Sequence, residues 1–274
     1  MSDREDRLRI KIVVAYDGAP FAGWQVQKTG VGVQEKLEEA LRRLFPGLGR
    51  IQGSSRTDTG VHARGMVAHF DVLRSQFRMT PRKLVLAVNA HLPESIRVMR
   101  AARVSGCFHA RFDASCKEYR YFVWNHPAHD PLRLNQVWHV PRPLNLTAMR
   151  KTATLLVGRH DFKAFAAQAG YPVHSTVRTL TRLQVTRSGA LLTFRVEGDG
   201  FLYKMCRGIV GTLVQVGLGK LGPDSVLAML ASRDRRLAGM TAPAHGLVLW
   251  RVAYAGGARD PRGLEPVEEG VPDE

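Results

Sequence analysis

The sequence of 274 residues predicts an α+β fold, with helices largely on one face of an antiparallel sheet. Segments with strand-like alternation of apolar residues interleave with segments of helical periodicity, and this interleaving occurs twice along the chain. Neither half has the regular short strand–helix alternation of a parallel barrel. Hydrophobic residues make up 45% of the chain, which is enough for a sizeable core.

The first half of the chain alternates strands with helices. Residues 8–16 place apolar side chains at every second position, with Arg9 and Lys11 on the opposite side, as a strand with one buried face does. Residues 33–44 place apolar side chains at helical spacing, with charged residues between them. A second helix begins at Thr80 and Pro81, because threonine is a good N-cap and a first helical turn does not need the N–H that proline lacks. The remaining strands of this half are predicted at residues 66–71 and 97–104.

The second half repeats the mixture of strands and helices. Ser188 and Gly189 separate two β-rich segments and predict a hairpin turn between them. The predicted elements are strands at residues 117–124, 180–186, 191–196 and 247–253 and helices at 147–157, at 201–216 and from Pro223 onward.

We divide the chain into two domains and a tail. Residues 1–105 form the first α+β domain and residues 106–255 the second, although no obvious linker marks the boundary. Residues 256–274 are rich in glycine, proline and acidic side chains, and we expect them to be disordered.

The charge of the chain is its most unusual bulk property. Forty lysines and arginines stand against 24 acidic residues, which leaves a formal net charge of +16. Such a surplus attracts polyanions and favours nucleic acid as the partner. An anionic membrane is the competing partner, but no apolar run is long enough to cross a bilayer. A basic surface that only aids solubility is the remaining alternative.

The amino terminus and the cysteines favour a cytoplasmic protein. Residues 1–7 are mostly charged and lack the apolar stretch of a secretory signal. The spacing of Cys107, Cys116 and Cys206 fits neither a disulfide framework nor a zinc site, so we expect reduced thiols.

Residues 53–65 form the segment with the strongest chemical signal. They combine one carboxylate with two arginines and three glycines, and we expect them to be a loop. Asp58 beside Arg56 is held ionised and is then available as a nucleophile or a base. The alternative is a turn aspartate that caps its own backbone, which is common in such loops.

Residues 56–63, with Asp58 at their centre, resemble the signature loop R-T-D-x-G-V-H-A of the tRNA pseudouridine synthase A family. Seven further blocks resemble the family in the family's order, at residues 16–18, 21–25, 108–112, 117–121, 160–162, 201–211 and 241–247. Ser55 departs from the family, which usually has glycine there, and we expect only a small local adjustment.

The resemblance implies two ferredoxin-like halves, whose sheets form one extended sheet with the active-site cleft between the halves. It implies an isomerase that cleaves the N1–C1′ bond of uridine, turns the base and rejoins it through C5. No cofactor or metal is needed, and the sequence has no P-loop, dinucleotide fingerprint or ligand-spaced histidine–cysteine cluster.

The resemblance also assigns roles to individual residues. Asp58 is implied as the catalytic residue. Arg56 would pair with Asp58 and fill the space that the base leaves, and Tyr119 would stack on the flipped uracil. The implied substrate-binding residues are Tyr119, Arg56, Arg207, Lys204, His62, Arg64 and Arg111.

Helical spacing adds a separate argument for Lys204 and Arg207. With Gly208 and Gly211 they fall on one stripe of the predicted helix, and this stripe would approach Asp58 or a phosphate. An ordinary solvated helix face is the alternative. For His62, a structural hydrogen-bonding role competes with substrate contact.

The implied partner is the anticodon stem-loop of tRNA, with uridines 38 to 40 as targets and a homodimer as the working form. Two other functions stay open from the residues alone. One is a non-catalytic protein that binds structured RNA, with a structural Asp58. The other is a metal-dependent nuclease, which would require clustered carboxylates.

Overall fold

The computed structural model describes residues 6–27, 29–168, 170 and 173–255. Within these ranges the chain forms, in order, β1 (Arg7–Tyr16), α1 (Val33–Leu44), β2 (Gln52–Gly53), β3 (His62–Leu73), α2 (Pro81–Asn89), β4 (Ile96–Val104), β5 (Ala114–Trp124), β6 (Trp138–His139), α3 (Leu146–Thr154), β7 (Gly158–Asp161), β8 (Val177–Ser188), β9 (Leu191–Gly198), α4 (Met205–Gly217), α5 (Pro223–Ser232) and β10 (Leu247–Tyr254). The tail that the sequence predicts to be disordered, residues 256–274, lies outside the described residues.

The described strands form one sheet of ten strands, in the order β4-β1-β3-β10-β5-β9-β8-β7, with β2 on β3 and β6 on β5. The α+β prediction is confirmed. The sheet is mixed rather than purely antiparallel, because β10 runs parallel to β3 and β6 runs parallel to β5. The last described strand, β10, lies between the two halves and pairs with one strand of each.

In the first half, one face of the sheet is apolar and buried. Ile10, Ile12 and Val14 on β1 are at most 1% exposed. They pair in register with Phe70, Ala68 and Met66 on β3. Leu37 and Leu41 of α1 are fully buried and belong to the same core. The alternation in the sequence therefore predicts the buried face correctly.

The second half repeats this packing around β5. Tyr121 and Val123 are fully buried and pair with Phe194 and Leu192 on β9. The apolar sides of α3 and α4 pack in this half, and α3 also contacts β8. One continuous hydrophobic cluster includes residues of both halves.

Several predicted ends are confirmed, and others differ. The Thr80 hydroxyl accepts the Lys83 N–H as the N-cap of α2, and Gly189 turns the β8–β9 hairpin at φ 57°. The strand β3 begins at His62, so the loop predicted at residues 53–65 is shorter. The helix predicted from residue 201 begins at Met205. Lys204 has φ 58°, in the left-handed region, and this conformation interrupts a right-handed helix.

Three short strands, β2, β6 and β7, are absent from the sequence-based prediction. They have two to four residues each, which is too short for a periodic pattern to emerge. In the described part of the chain, no helix is long and apolar enough to cross a membrane.

Candidate active site

A cleft of about 640 Å³ opens where the two halves of the sheet meet. Trp24 and Gln34 line it from the first half, Tyr119 and Leu247 from the central strands, and the segment before α4 closes it. Residues 50–59 contribute most of one wall, and Asp58 is among them. The loop that the sequence singles out therefore lies in this cleft between the halves.

The Asp58 loop is held in place by the first half of the chain. The Trp24 N–H donates to the Thr57 carbonyl at 3.1 Å, and the Tyr16 and Thr57 hydroxyls are 2.8 Å apart. Gly23, at φ 100°, lies so close that a Cβ atom there would come within 2.5 Å of the Thr57 oxygen. Because these contacts fix the backbone on both sides of Thr57, Asp58 has a defined position.

Asp58 forms an ion pair with Arg207 of α4. Arg207 Nη1 lies 3.0 Å from Asp58 Oδ2, and the two side chains are 14% and 20% exposed. Arg207 Nε donates to the Ala242 carbonyl at 2.7 Å, and its own carbonyl accepts the Ala242 N–H. The guanidinium is thus held from two sides, and a charge-assisted hydrogen bond orients the carboxylate.

The sequence predicts Arg56 as the partner of Asp58. In the structure, Arg56 is exposed and lines the cleft. Its pairing with Asp58 stays a prediction. The arginine that pairs with Asp58 in the structure is Arg207, 149 positions further along the chain. Sequence spacing alone has no means of revealing a pair so distant.

Tyr119 lies in the same cleft and is 6% exposed. Burial raises the pKa of its phenol, and the nearby Cys206 and Asp58 raise this pKa further, against a hydrogen bond with Ser55. The Phe201 ring packs edge-to-face on it at 5.0 Å. At neutral pH the phenol therefore stays protonated, and its hydroxyl can donate or relay a proton.

The buried Cys206 is the third titratable group near the carboxylate. Burial and the charge of Asp58 raise the pKa of its thiol well above the usual value. The thiol is therefore neutral. Cys107 is exposed and Cys116 is half-buried, so Cys206 is the one buried cysteine of the three.

Lys204 lines the cleft from its position as the N-cap of α4. The predicted stripe is wrong for the two glycines. A Cβ at Gly208 would overlap the Phe165 carbonyl, and one at Gly211 would overlap the Met240 carbonyl. These glycines let α4 pack against the protein's own backbone, and their side of the helix is buried rather than open to a phosphate.

His62 is 8% exposed and bridges three segments of backbone. Its Nδ1 accepts the Gly18 N–H at 3.0 Å, and its Nε2 lies 3.0 Å from the His245 carbonyl. Nδ1 also lies 3.0 Å from Asp17 Oδ1. These contacts favour the structural role, and substrate contact by His62 stays a prediction.

The structure separates Arg111 and Arg64, which the resemblance implies as substrate-binding residues. Arg111 is exposed and lines the cleft, and its backbone N–H donates to His109 Nδ1 at 3.1 Å. Arg64 instead stacks on the Trp250 ring at 4.5 Å, and Arg120 lies 4.0 Å from the same ring centre. Contact of Arg111 or Arg64 with RNA stays a prediction.

Lys117 is a cleft residue to which the sequence analysis gives no role. Its Nζ donates to the Ser54 carbonyl at 2.8 Å. Burial, together with the charges of Arg111 and Arg178, lowers the pKa of its ammonium to about 8. One feature of the sequence points to Lys117. It lies two residues before Tyr119, so both side chains are on one face of β5.

No group of three histidine, cysteine or acidic side chains in the described ranges is arranged to hold a metal ion. The titratable side chains that line the cleft include the Asp58 carboxyl, the Tyr119 phenol, the Cys206 thiol and several cations.

Comparison with known proteins identifies the family. The family model described as tRNA pseudouridine synthase matches residues 12–113 and 152–255. This chain belongs to the tRNA pseudouridine synthase family. The two matched segments include Asp58 and Arg207, and Tyr119 lies between them. As a member of the family, the chain is an isomerase that forms pseudouridine in tRNA.

Curated relatives agree with this assignment. The chain is 46% identical over 248 residues to tRNA pseudouridine synthase A of Geobacillus kaustophilus, and this alignment covers 90% of the chain and 94% of the relative. It is 45% identical to the protein of the same name from Syntrophotalea carbinolica, over 90% of this chain and 96% of the relative. The Brevibacillus brevis protein of that name is 46% identical over 90% of this chain and 99% of its own length.

Among solved structures, a chain of a Cbf5-Nop10-Gar1 complex aligns with 88% of this chain and 48% of its own length, at a TM-score of 0.38 and 13% identity. A similarity this low carries no argument about the present chain.

Proposed function

We propose that this enzyme converts uridine to pseudouridine at positions 38 to 40 of the tRNA anticodon stem-loop, with Asp58 as the catalytic carboxylate and without a cofactor. The observation that carries the proposal is the ion pair between Asp58 and Arg207 beside Tyr119, in the cleft between the halves. An oriented carboxylate next to a protonated phenol is a set of groups suited to this isomerisation.

The reaction balances with these groups alone. The N1–C1′ bond breaks, the base turns, and a C5–C1′ bond forms, while C5 loses a proton and N1 gains one. Nothing is oxidised or reduced. Attack of Asp58 on C1′, its addition to the base and its assistance to elimination all use the carboxylate oxygens, which Arg207 orients.

The target nucleotide must leave the helical stack before it reaches Asp58, at a cost of a few kcal/mol. Tyr119 offers its ring to stack on the flipped uracil and its hydroxyl to take part in removing the C5 proton. Arg56, exposed at the same cleft, is suited to fill the space that the base leaves.

The RNA backbone would be held by cations around the cleft. Arg111 and Lys204 line it, and the net charge of +16 favours a polyanionic substrate. We propose that Arg64 contacts RNA outside the cleft and that the working form is a homodimer, so that tRNA contacts both subunits. Shape recognition of this kind allows one pocket to serve neighbouring uridines.

The test uses a tRNA transcript tritiated at uracil C5, incubated with the enzyme in EDTA. Formation of pseudouridine releases tritium to water. The wild type should release tritium, and Asp58→Asn should release none while it still binds the transcript. Asp161→Asn is the matched control, because Asp161 pairs with Arg233 rather than with Arg207, and it should keep wild-type activity.

A second transcript with cytidine at positions 38 to 40 should release no tritium. Release from that transcript would contradict the anticodon assignment. Unchanged release by Asp58→Asn would remove the carboxylate from the chemistry. Binding without any release by the wild type would favour a non-catalytic protein for structured RNA, and activity that EDTA abolishes would favour a metal-dependent nuclease.

A further inference from the structure

Lys117 is a half-buried cation that the reaction as described does not use. It projects from β5 into the cleft, and its ammonium has three N–H donors. Among the described residues, the Ser54 carbonyl accepts one of them at 2.8 Å. The remaining donors are available to a ligand in the cleft.

The electrostatic surroundings of this ammonium are unfavourable to it. The charged groups that act on it are Arg111, from the loop before β5, and Arg178, from β8, and both are cations. The residues paired with Lys117 across the sheet are Gly198 on β9 and Val252 on β10, which carry no charge. A desolvated cation among cations lacks a counter-charge, and a bound anion would supply it.

The phenols nearest to this region do not supply a negative charge. Burial raises the pKa of Tyr119 and of Tyr254, so both stay neutral in the physiological range. Ser54 is fully buried, and its N–H donates to the Val67 carbonyl, so its own carbonyl is a fixed acceptor. The position of the ammonium is therefore defined before any RNA binds.

The position of Lys117 relative to Tyr119 indicates which anion it would bind. Two residues along a strand point to the same face about 7 Å apart. That spacing is comparable to the distance from a nucleobase to the phosphate of its own nucleotide. We propose that Lys117 binds the phosphodiester of the flipped nucleotide while Tyr119 stacks on its base. The proposal rests on the proposed function, because it assumes that Tyr119 receives the target uracil.

The salt dependence of RNA binding tests this proposal. Each phosphate contact contributes about 0.9 to the slope of log affinity against log salt. When salt is raised from 50 to 200 mM, the loss of affinity should be about 3.5-fold smaller for Lys117→Gln than for the wild type. At low salt, Lys117→Gln should bind the RNA more weakly than the wild type does. Binding is measured in an Asp58→Asn background, so that the RNA is not converted.

Three comparisons make this result specific. Glutamine can still donate to Ser54, so a merely structural lysine would leave the slope unchanged. Lys117→Arg keeps the charge and should restore the wild-type slope. Lys220→Gln removes a lysine that is exposed, lies between α4 and α5 and is not among the residues lining the described cleft, and it should also keep the wild-type slope.

The pH dependence of binding gives an independent readout. The pKa of the free ammonium is lowered to about 8, and a bound phosphate raises it. Above pH 8 the free lysine loses its proton, and binding must first restore it. From pH 7 to pH 9 the protein with Lys117 should therefore lose up to about tenfold more affinity than Lys117→Arg, which stays charged.

Equal slopes for Lys117→Gln and the wild type would overturn the proposal, as would a Lys117→Arg variant that fails to restore the slope. Either result is distinguishable from failure of the proposed function. If the wild type releases tritium in an Asp58-dependent manner while the slopes are equal, only the role of Lys117 is wrong. If tritium release does not depend on Asp58, the proposed function itself fails.

Discussion

Individual side chains in the cleft depend on groups that are far away in the sequence. Asp58 obtains its counter-charge from Arg207, and Arg207 obtains its orientation from the backbone of Ala242. Tyr119 is affected in the same way, because the burial that raises its pKa comes from packing against Phe201 and the segment before α4. The properties of these residues are thus set by contacts between segments that are far apart in the chain.

Replacement of Tyr119 by phenylalanine separates stacking from proton transfer. The ring and its contact with Phe201 are kept, while the hydroxyl and its hydrogen bond with Ser55 are lost. We expect kcat to fall by about 10²- to 10⁴-fold with KM nearly unchanged, measured by tritium release under saturating and limiting tRNA. A variant with the kcat of the wild type would contradict a role for the phenol.

The pH–rate profile of the wild type tests the protonation state of Tyr119. Because the folded-state pKa of Tyr119 is raised, its proton stays bound as pH increases through 9, and no alkaline loss of rate should come from this group. Tyr121→Phe is the control on the same strand. Its hydroxyl donates to the Pro243 carbonyl, so the change should cost about 1 kcal/mol of stability and alter the rate little.

At the scale of elements, α4 packs in the core and carries side chains of the candidate active site. Its N-cap residue Lys204 lines the cleft, its first turn carries Arg207, and its glycines allow the segment around Met240 to pack directly on it. That segment continues to Ala242, which holds the Arg207 guanidinium. Close packing of one helix therefore positions the partner of Asp58.

Gly211→Ala tests this connection. Alanine within a helix is usually stabilising by up to about 1 kcal/mol relative to glycine. Here the new Cβ would overlap the Met240 carbonyl, which is backbone and has no room to move alone. We expect overpacking to dominate, with a net loss of about 1–3 kcal/mol in urea unfolding and a lower rate of tritium release.

Gly49→Ala is the matched control for this change. Gly49 is exposed, and no heavy atom lies within 4 Å of the place that an alanine Cβ would take there, so neither stability nor rate should fall. Equal behaviour of the two variants would show that α4 does not depend on this close approach.

At the scale of the whole molecule, β10 joins the halves. It pairs with β3 on one side and with β5 on the other, and one hydrophobic cluster continues through both halves. The first half alone, residues 1–105, would lack its pairing with β10. The boundary near residue 105 stays a prediction, but a unit that shares its central strand and its core with the other half should not unfold by itself.

We therefore expect one cooperative unfolding transition. Trp24 is 2% exposed and reports on the first half, and Trp138 lies on β6 in the second half. Two variants, each retaining only one of these tryptophans with the others replaced by phenylalanine, should show coincident urea midpoints by fluorescence and by circular dichroism. If the fluorescence midpoint of each variant differs from its circular dichroism midpoint, the halves unfold independently.

The local patterns of the sequence were sufficient for the fold class and for the central motif. Alternation in β1 identified its buried face, Thr80 and Pro81 identified the start of α2, and residues 56–63 identified the family and the loop of Asp58. These features depend on neighbouring residues, so a single sequence contains them.

Only the tertiary structure decided how these pieces meet. The pairing of Asp58 with Arg207, the parallel contact of β10 with β3 and the burial of Lys117 all join segments that are distant in the chain. The predicted glycine stripe was wrong for the same reason, since spacing gives the side of a helix but not what packs against it. Burial, charge and pKa are properties of the folded surroundings, and periodicity in a sequence does not specify those surroundings.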